Sequence, residues 1–192
     1  MEKERLGAFS DGVIAIIITI MVLELKVPHG ADWADLTKLW PVFLSYALSF
    51  IYVAIYWHNH HHLLHAAHKV TGPILWANSH LLFWLSLIPF ATAWMGENHF
   101  ASRPVALYGV SLLMPAIAYY VLQTVLIRSG ALNERVVAAF GRDAKGKLSI
   151  VGYAGGVLLS HVLPVASLAL YVLIALVWLI PDRRIESAVS SG

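Results

Sequence analysis

The chain contains no cysteine and has few charged residues. Without cysteine, disulfide bonds, thiol catalysis and cysteine-ligated metal sites are all excluded. Charged residues make up 12% of the 192 residues, roughly half of the ~25% that soluble domains carry. No basic stripe with interleaved aromatic residues is present, so nucleic-acid binding has no support. With hydrophobic residues at 59%, the composition indicates an all-α integral membrane protein.

Six apolar segments are candidates for membrane spans. The predicted spans are residues 7–26, 39–64, 73–95, 105–127, 148–163 and 165–181. The block 148–180 is too long for one span of about 20 residues, so we interpret it as two short helices. A single helix kinked at Pro164 is the alternative. We expect one transmembrane domain over residues 1–192 and no enzyme activity, because the loops are too short for a domain of about 50 residues.

Basic residues are distributed unevenly between the two sides that a six-span path creates. One side receives both termini and the loops 65–72 and 128–147, and its basic residues are Lys3, Arg5, Lys69, Arg128, Arg135, Arg142, Lys145, Lys147, Arg183 and Arg184. The other side carries only Lys26, Lys38 and Arg103. The positive-inside rule therefore predicts a multi-pass protein of the cell membrane with both termini in the cytoplasm. A short surface helix is expected around residues 133–140.

The first span begins with polar residues, Ser10 and Asp11, directly before an aliphatic run. An ionisable residue in a membrane segment is a functional-site hypothesis by default. One interpretation is only local, with Ser10 capping the helix and Asp11 interacting favourably with its dipole. The other is that Asp11 binds polar groups on neighbouring helices and fixes the rotation of the first helix. The candidate partners for Asp11 in that case are Trp57, His60, His61 and Asn78.

Helical geometry separates Asp11 from the aliphatic residues that follow it. At about 100° per residue, Ile16, Ile20 and Leu23 lie on one stripe with Thr19 beside it. Asp11 lies about 140° away from Ile16 on the same helix. The carboxylate and the aliphatic stripe therefore face different surroundings.

The first helix carries the motif Arg5-x-x-x-Phe9-Ser10-Asp11, and distinctive polar segments follow around Trp57 and Asn78. In these motifs, the first half of the chain resembles the lysosomal transmembrane potassium channel family in its prokaryotic form. It implies six-helix subunits that form a homotetramer in the lipid bilayer, with the first helix lining a central pore for monovalent cations, and no cofactor. By position, it implies a pore constriction at Ile16, Ile20 and Leu23 with a layer at Thr19. The structural polar network that it implies comprises Arg5, Phe9, Ser10, Asp11, Trp57, Asn59, His60, His61 and Asn78.

A selectivity-filter sequence of the Thr-Val-Gly-Tyr-Gly type is absent, so rings of backbone carbonyls cannot provide ion selectivity. A constriction made of aliphatic side chains gates by dewetting and favours ions that lose water easily. We therefore expect a potassium-permeable channel with a modest preference for K⁺ over Na⁺. Leu112, in the fourth span, is expected to face lipid.

A histidine cluster near the end of the second span suggests an alternative function. Its members are His58, His60, His61, His62, His65 and His68. Histidines at i and i+4 on one helix face can bind a metal ion, which makes His58, His62 and His65 weak candidate ligands but not a firm metal site. An interfacial helix end and a pH sensor are the other interpretations. The alternative to a channel is therefore a histidine-based metal transporter or membrane metalloenzyme.

Overall fold

The computed structural model describes residues 3–140 and 144–180, and this part of the chain is all-helical. The helices, in chain order, are α1 (Lys3–Leu23), α2 (Trp33–Thr37), α3 (Trp40–Ala66), α4 (Gly72–Leu85), α5 (Ile88–Glu97), α6 (Ser102–Arg128), α7 (Glu134–Phe140), α8 (Ala144–Ser160) and α9 (Pro164–Leu179). The surface helix expected around residues 133–140 corresponds to α7. Arg142, Arg183, Arg184 and residue 181 of the sixth predicted span lie outside the described residues.

Four segments are long and apolar enough to cross a membrane: α1, α3, α4 together with α5, and α6. Their ends differ by a few residues from the first four predicted spans. Helices α8 and α9 have 17 and 16 residues, fewer than the roughly 20 of an ordinary span. The chain is thus a multi-pass membrane protein with four full-length candidate spans and two shorter helices.

The third predicted span, residues 73–95, is interrupted in the structure. Helix α4 ends at Leu85, and α5 begins at Ile88 with Pro89 in its first turn. A continuous helix would bring the Pro89 ring against the carbonyl group of Leu85 and would lack the corresponding hydrogen bond. Helix α5 packs against α1, α3 and α6.

Helices α8 and α9 form an antiparallel hairpin. The hydroxyl of Ser167 donates a hydrogen bond to the carbonyl oxygen of Gly156 at 2.8 Å. Further along the hairpin, Trp178 Nε1 donates to Ser149 Oγ, also at 2.8 Å. Residues later in α9 therefore contact residues earlier in α8, which is the two-helix arrangement and not a single helix kinked at Pro164.

Small residues allow α6, α8 and α9 to approach closely around one aromatic ring. Tyr171 is fully buried, and its side chain occupies the space next to Gly109 and Gly156. A Cβ atom at Gly156 would lie 2.3 Å from Tyr171 Cε1, which is well inside van der Waals contact. Glycine is therefore needed at this contact so that α9 can pack against α8.

Helix α6 takes part in both hydrophobic clusters of the core. One cluster joins it to α1, α4, α7 and the second half of α3, and the other joins it to α5, α8, α9 and the first half of α3. Leu112 of α6 is only 1% exposed and belongs to the second cluster. The expectation that Leu112 faces lipid was wrong, because α6 is surrounded by four other helices.

Contacts between loops and helix ends join the helices at both of their ends. At one end, Lys3 Nζ donates to the carbonyl oxygen of His65, and the backbone N–H of His68 donates to that of Ala131. Helix α7 follows Ala131, in the loop between α6 and α8. At the opposite end, Lys26 forms an ion pair with Glu97. Segments that the sequence assigns to the same side therefore contact one another.

Candidate functional site

The buried residues of helix α1 form one narrow stripe. The buried residues of this stripe are Leu6, Ser10, Ile14, Ile17 and Met21. Their spacing of three or four residues places them on a single helix face, which packs against α3, α4 and α5. Ser10 is the only polar side chain among these five, so any hydrogen bonding from this face into the subunit depends on it.

The aliphatic stripe of α1 is turned away from the subunit. Ile16, Ile20 and Leu23 are 58%, 41% and 79% exposed. Thr19 is also exposed, and its hydroxyl donates to the carbonyl oxygen of Ile16 at 2.9 Å. Within the single chain, these side chains form an uncovered, mainly apolar surface that extends along the second half of the helix.

A directed chain of hydrogen bonds connects α1 to α4 and α3. His60 Nε2 lies 2.6 Å from Asn78 Oδ1, and because an amide oxygen only accepts, His60 donates. Asn78 Nδ2 then donates to Ser10 Oγ at 3.0 Å, and Ser10 Oγ donates to the carbonyl oxygen of Leu6 at 2.9 Å. Ser10, Asn78 and His60 are all at most 2% exposed. These hydrogen bonds together therefore provide partners for three buried polar side chains.

Asp11 binds one of its four candidate partners. Its Oδ1 atom accepts a hydrogen bond from Trp57 Nε1 at 2.9 Å, while His60 and Asn78 bind each other. His61 is exposed, and its ring lies next to that of Trp57. Asp11 is itself exposed within the single chain. The cause is its position on α1, about 100° from the centre of the buried stripe.

The remaining members of the predicted polar network lie elsewhere. Arg5 and Phe9 are exposed and share the helix side of Ile16 and Ile20, since about 100° per residue brings these positions together. Asn59 donates to the carbonyl oxygen of Ile55 in its own helix at 2.8 Å. Of the nine residues predicted for the network, these three and His61 therefore do not join the hydrogen bonds that the structure shows between α1, α3 and α4.

The histidine candidates for metal binding do not converge on one point. His58 Nε2 and His62 Nε2 lie 3.1 Å apart, whereas the ring of His65 stacks on that of His61. Within residues 3–140 and 144–180, no group of three or more histidine, aspartate or glutamate side chains could hold a metal ion. The structure therefore does not favour a site made by His58, His62 and His65.

Two contacts that no sequence pattern predicts hold α1 and the turn after it in place at both ends. Lys3 at the start of α1 donates to a carbonyl oxygen at the end of α3. Lys26, just after α1, pairs with Glu97 at the end of α5, and this hydrogen bond raises the pKa of Lys26 above its usual value. Lys26 and Glu97 are 71 positions apart in the sequence, and no local pattern signals their pairing.

The amino-acid sequence is similar to those of a known protein family. The sequence profile described as "Endosomal/lysosomal potassium channel TMEM175" matches residues 5–89, which include α1, α3, α4 and the start of α5. A protein named a potassium channel in Chryseobacterium sp. (strain P1-3) is 56% identical over 192 residues, covering all of both chains. Another, named a potassium channel in Streptomyces collinus, is 32% identical over 186 residues, or 91% of this chain and 90% of that protein.

The fold is also similar to a solved structure. That structure is titled as a crystal structure of a lysosomal potassium-selective channel TMEM175 homolog from Chamaesiphon minutus. The similarity has a TM-score of 0.80 at 26% sequence identity and covers 93% of this chain and 96% of the other. Since the relatives match along almost their whole length, the chain belongs to the TMEM175 potassium channel family.

Proposed function

We propose that four copies of this chain surround a central pore lined by α1. The chain is a potassium-permeable channel, as are by name the two full-length relatives, and K⁺ is its permeant ion. A channel of this kind is not an enzyme and needs no catalytic cofactor. The arrangement of the four subunits and the role of α1 are the parts that go beyond the family assignment.

One observation supports the role of α1 most directly. Its aliphatic residues Ile16, Ile20 and Leu23 are exposed, while the opposite side of the same helix is fixed to the subunit by buried contacts. A helix held in this way presents one constant surface to whatever lies outside the subunit. Four such surfaces around an axis would form successive rings of aliphatic side chains, with the Thr19 hydroxyls between two of them.

The chemistry of these rings sets the expected selectivity. Aliphatic side chains offer an ion no oxygen ligands, so an ion loses part of its hydration shell without full replacement. K⁺ holds its water less tightly than Na⁺ and crosses such a constriction at lower cost. The preference for K⁺ is therefore modest, in contrast to a filter in which carbonyl oxygens replace the water molecules.

The hydrogen bonds of α1 have a structural role in this proposal. The chain from His60 through Asn78 to Ser10 fixes the rotation of α1 at one point. The bond from Trp57 to Asp11 fixes it about 100° further around the helix. Two attachments at different angles prevent α1 from rotating, and the aliphatic stripe remains directed toward the proposed pore.

We further propose six membrane crossings and cytoplasmic termini in the cell membrane, with residues 1–192 forming one transmembrane domain. The hairpin of α8 and α9 supports the fifth and sixth crossings. Lys145 Nζ donates to the carbonyl oxygen of Ile180, which brings the end of α9 to the side where α8 begins. Since the described basic residues are concentrated on that side, the positive-inside rule assigns it to the cytoplasm.

A potassium flux assay tests this function. The protein is reconstituted into liposomes with a K⁺ gradient, and flux is measured with and without a zinc chelator. A channel gives K⁺ flux that the chelator does not change. No flux, together with stoichiometric bound metal, would instead support the histidine-based metal transporter or metalloenzyme, which the relatives and the scattered histidine geometry do not favour.

A further inference from the structure

A cavity that is partly open to the surroundings lies between α3, α6, α8 and α9. It is separate from the α1 surface, because no residue of α1 lines it and it shares no lining residue with the hydrogen-bond chain of His60, Asn78 and Ser10. The aromatic residues in its walls are Tyr52, Tyr56, Tyr119, Tyr120, Tyr153 and Trp178.

The cavity contains a buried polar atom without a partner. Gln123 lines the cavity and is only 3% exposed, and its side-chain oxygen Oε1 has no hydrogen-bond partner. Two other polar groups of the wall are paired: Ser149 accepts from Trp178, and the Tyr119 hydroxyl donates to the carbonyl oxygen of Asn59. An unpaired buried acceptor destabilises a protein, so this position favours an occupant that donates a hydrogen bond.

The surroundings of the cavity indicate an occupant without charge. No carboxylate is among the residues that line it, so a cation would have no partner of opposite charge. Gly146 is in the wall, and Lys145 and Lys147 flank it in the chain, which makes a cation less favourable still. An anion would lack the proton that Gln123 Oε1 requires, and only an uncharged donor satisfies all of these conditions.

We propose that this cavity is a binding site for a small uncharged molecule with an apolar ring or chain and one O–H donor, an alcohol or a phenol. The apolar part packs against the tyrosine rings, and the hydroxyl donates to Gln123 Oε1. Tyr56 and Asn59 of the wall are sequence neighbours of Trp57 and His60. The occupant therefore lies against the same helix that fixes α1, while the site shares no residue with the aliphatic stripe.

Fluorine NMR of the purified, assembled protein with three matched probes tests the site. The probes are 4-fluorobenzyl alcohol, 4-fluorotoluene without a donor, and protonated 4-fluorobenzylamine. The proposal predicts saturable binding of the alcohol, one per subunit, several-fold tighter than the toluene and without saturable binding of the amine. Non-saturable behaviour of the alcohol, equal affinity for alcohol and toluene, or tighter binding of the amine would overturn it. Non-saturable behaviour of the alcohol would mean that the cavity holds water only.

Variants locate the binding. Gln123→Leu removes the acceptor and should lower the alcohol affinity to that of the toluene. Ala116→Leu fills the cavity, since Ala116 is in its wall, and should abolish binding of both probes. Ala169→Leu makes the same change on an exposed position of α9 and should leave binding unchanged. Unchanged binding in Ala116→Leu would overturn the site, and this comparison decides the question even if Gln123→Leu does not assemble.

Discussion

Trp57 of α3 donates a hydrogen bond from its indole nitrogen to the Asp11 carboxylate of α1, with 2.9 Å between Nε1 and Oδ1. Both residues are partly exposed within one subunit. The bond joins two helices in addition to the buried contacts of Ser10. In the proposed channel, this pair is one of two attachments that set the rotation of the helix lining the pore.

A double-mutant cycle measures what the Trp57–Asp11 pair contributes. Asp11→Ala and Trp57→Phe should each lower the free energy of unfolding or disassembly by about 1–2 kcal/mol, as expected for a hydrogen bond to a charged acceptor that is partly in solvent. The double variant should cost little more than either single variant, because both remove the same bond. Thermal denaturation followed by size-exclusion chromatography provides the measurement. Additive effects would show that the two side chains act separately.

Substitutions of Asp11 also show whether its carboxylate has a structural role or binds the permeating ion. If its carboxylate fixes α1, then Asp11→Asn, which keeps an acceptor for Trp57, should preserve assembly better than Asp11→Ala. The comparison is made by the yield of assembled protein and by K⁺/Na⁺ flux. An Asp11→Ala channel that is as stable as wild type but has lost its selectivity would make Asp11 an ion ligand and would show that the assigned rotation of α1 is wrong.

Ser10→Ala tests the buried hydrogen-bond chain. This change leaves Asn78 Nδ2 without its acceptor in a fully buried position. The expected loss of stability is about 1–3 kcal/mol, the cost of an unsatisfied buried polar group. Ser79→Ala on the exposed face of α4 is the matched control and should change stability little. Equal melting temperatures for the two variants would show that the hydrogen bonds from His60 through Asn78 to Ser10 do not stabilise the protein as proposed.

The ion pair of Lys26 and Glu97 gives a prediction for alkaline pH. The hydrogen bond and charge of Glu97 raise the pKa of Lys26 in the folded protein. Stability from this pair is therefore fully present below the unfolded pKa of about 10.4 and is lost as pH rises through the higher folded value. Wild type and Glu97→Gln should differ most below about pH 10, and the difference should shrink at higher pH and in 1 M salt. A difference that grows with pH would contradict this account.

The sequence predicts the long helices well but not every relation between them. Pro164 and the length of the block around it indicate two helices, and the structure has them as a hairpin. Pro89 carried a similar signal, but the apolar run continues across it, so the break between α4 and α5 was not predicted. Leu112 lies in a helix that is apolar on all sides, and periodicity therefore does not reveal which side is buried.

At the site, the chemistry of each polar side chain limits its possible hydrogen-bond partners, and the packing of the helices determines which partner it binds. A carboxylate in the first helix requires a donor, which limits the partner of Asp11 to a few residues, but only the relative rotation of α1 and α3 selects Trp57. Ser10, Asn78 and His60 similarly connect three helices. The contact of Lys26 with Glu97 joins segments that are distant in sequence. The cavity around Gln123 likewise forms between helices that are distant in sequence. No local sequence pattern predicts either feature.

The most direct test of the pore assignment is the relative flux of Na⁺ and K⁺ through Ile16→Asn channels in liposomes. The substitution adds an amide to a proposed constriction ring, so total flux should rise and the preference for K⁺ over Na⁺ should fall. Leu173→Asn, at a position of α9 that is 58% exposed, is the control and should change neither when protein amounts are matched. Unchanged selectivity in assembled Ile16→Asn channels would contradict the central claim that α1 lines the pore.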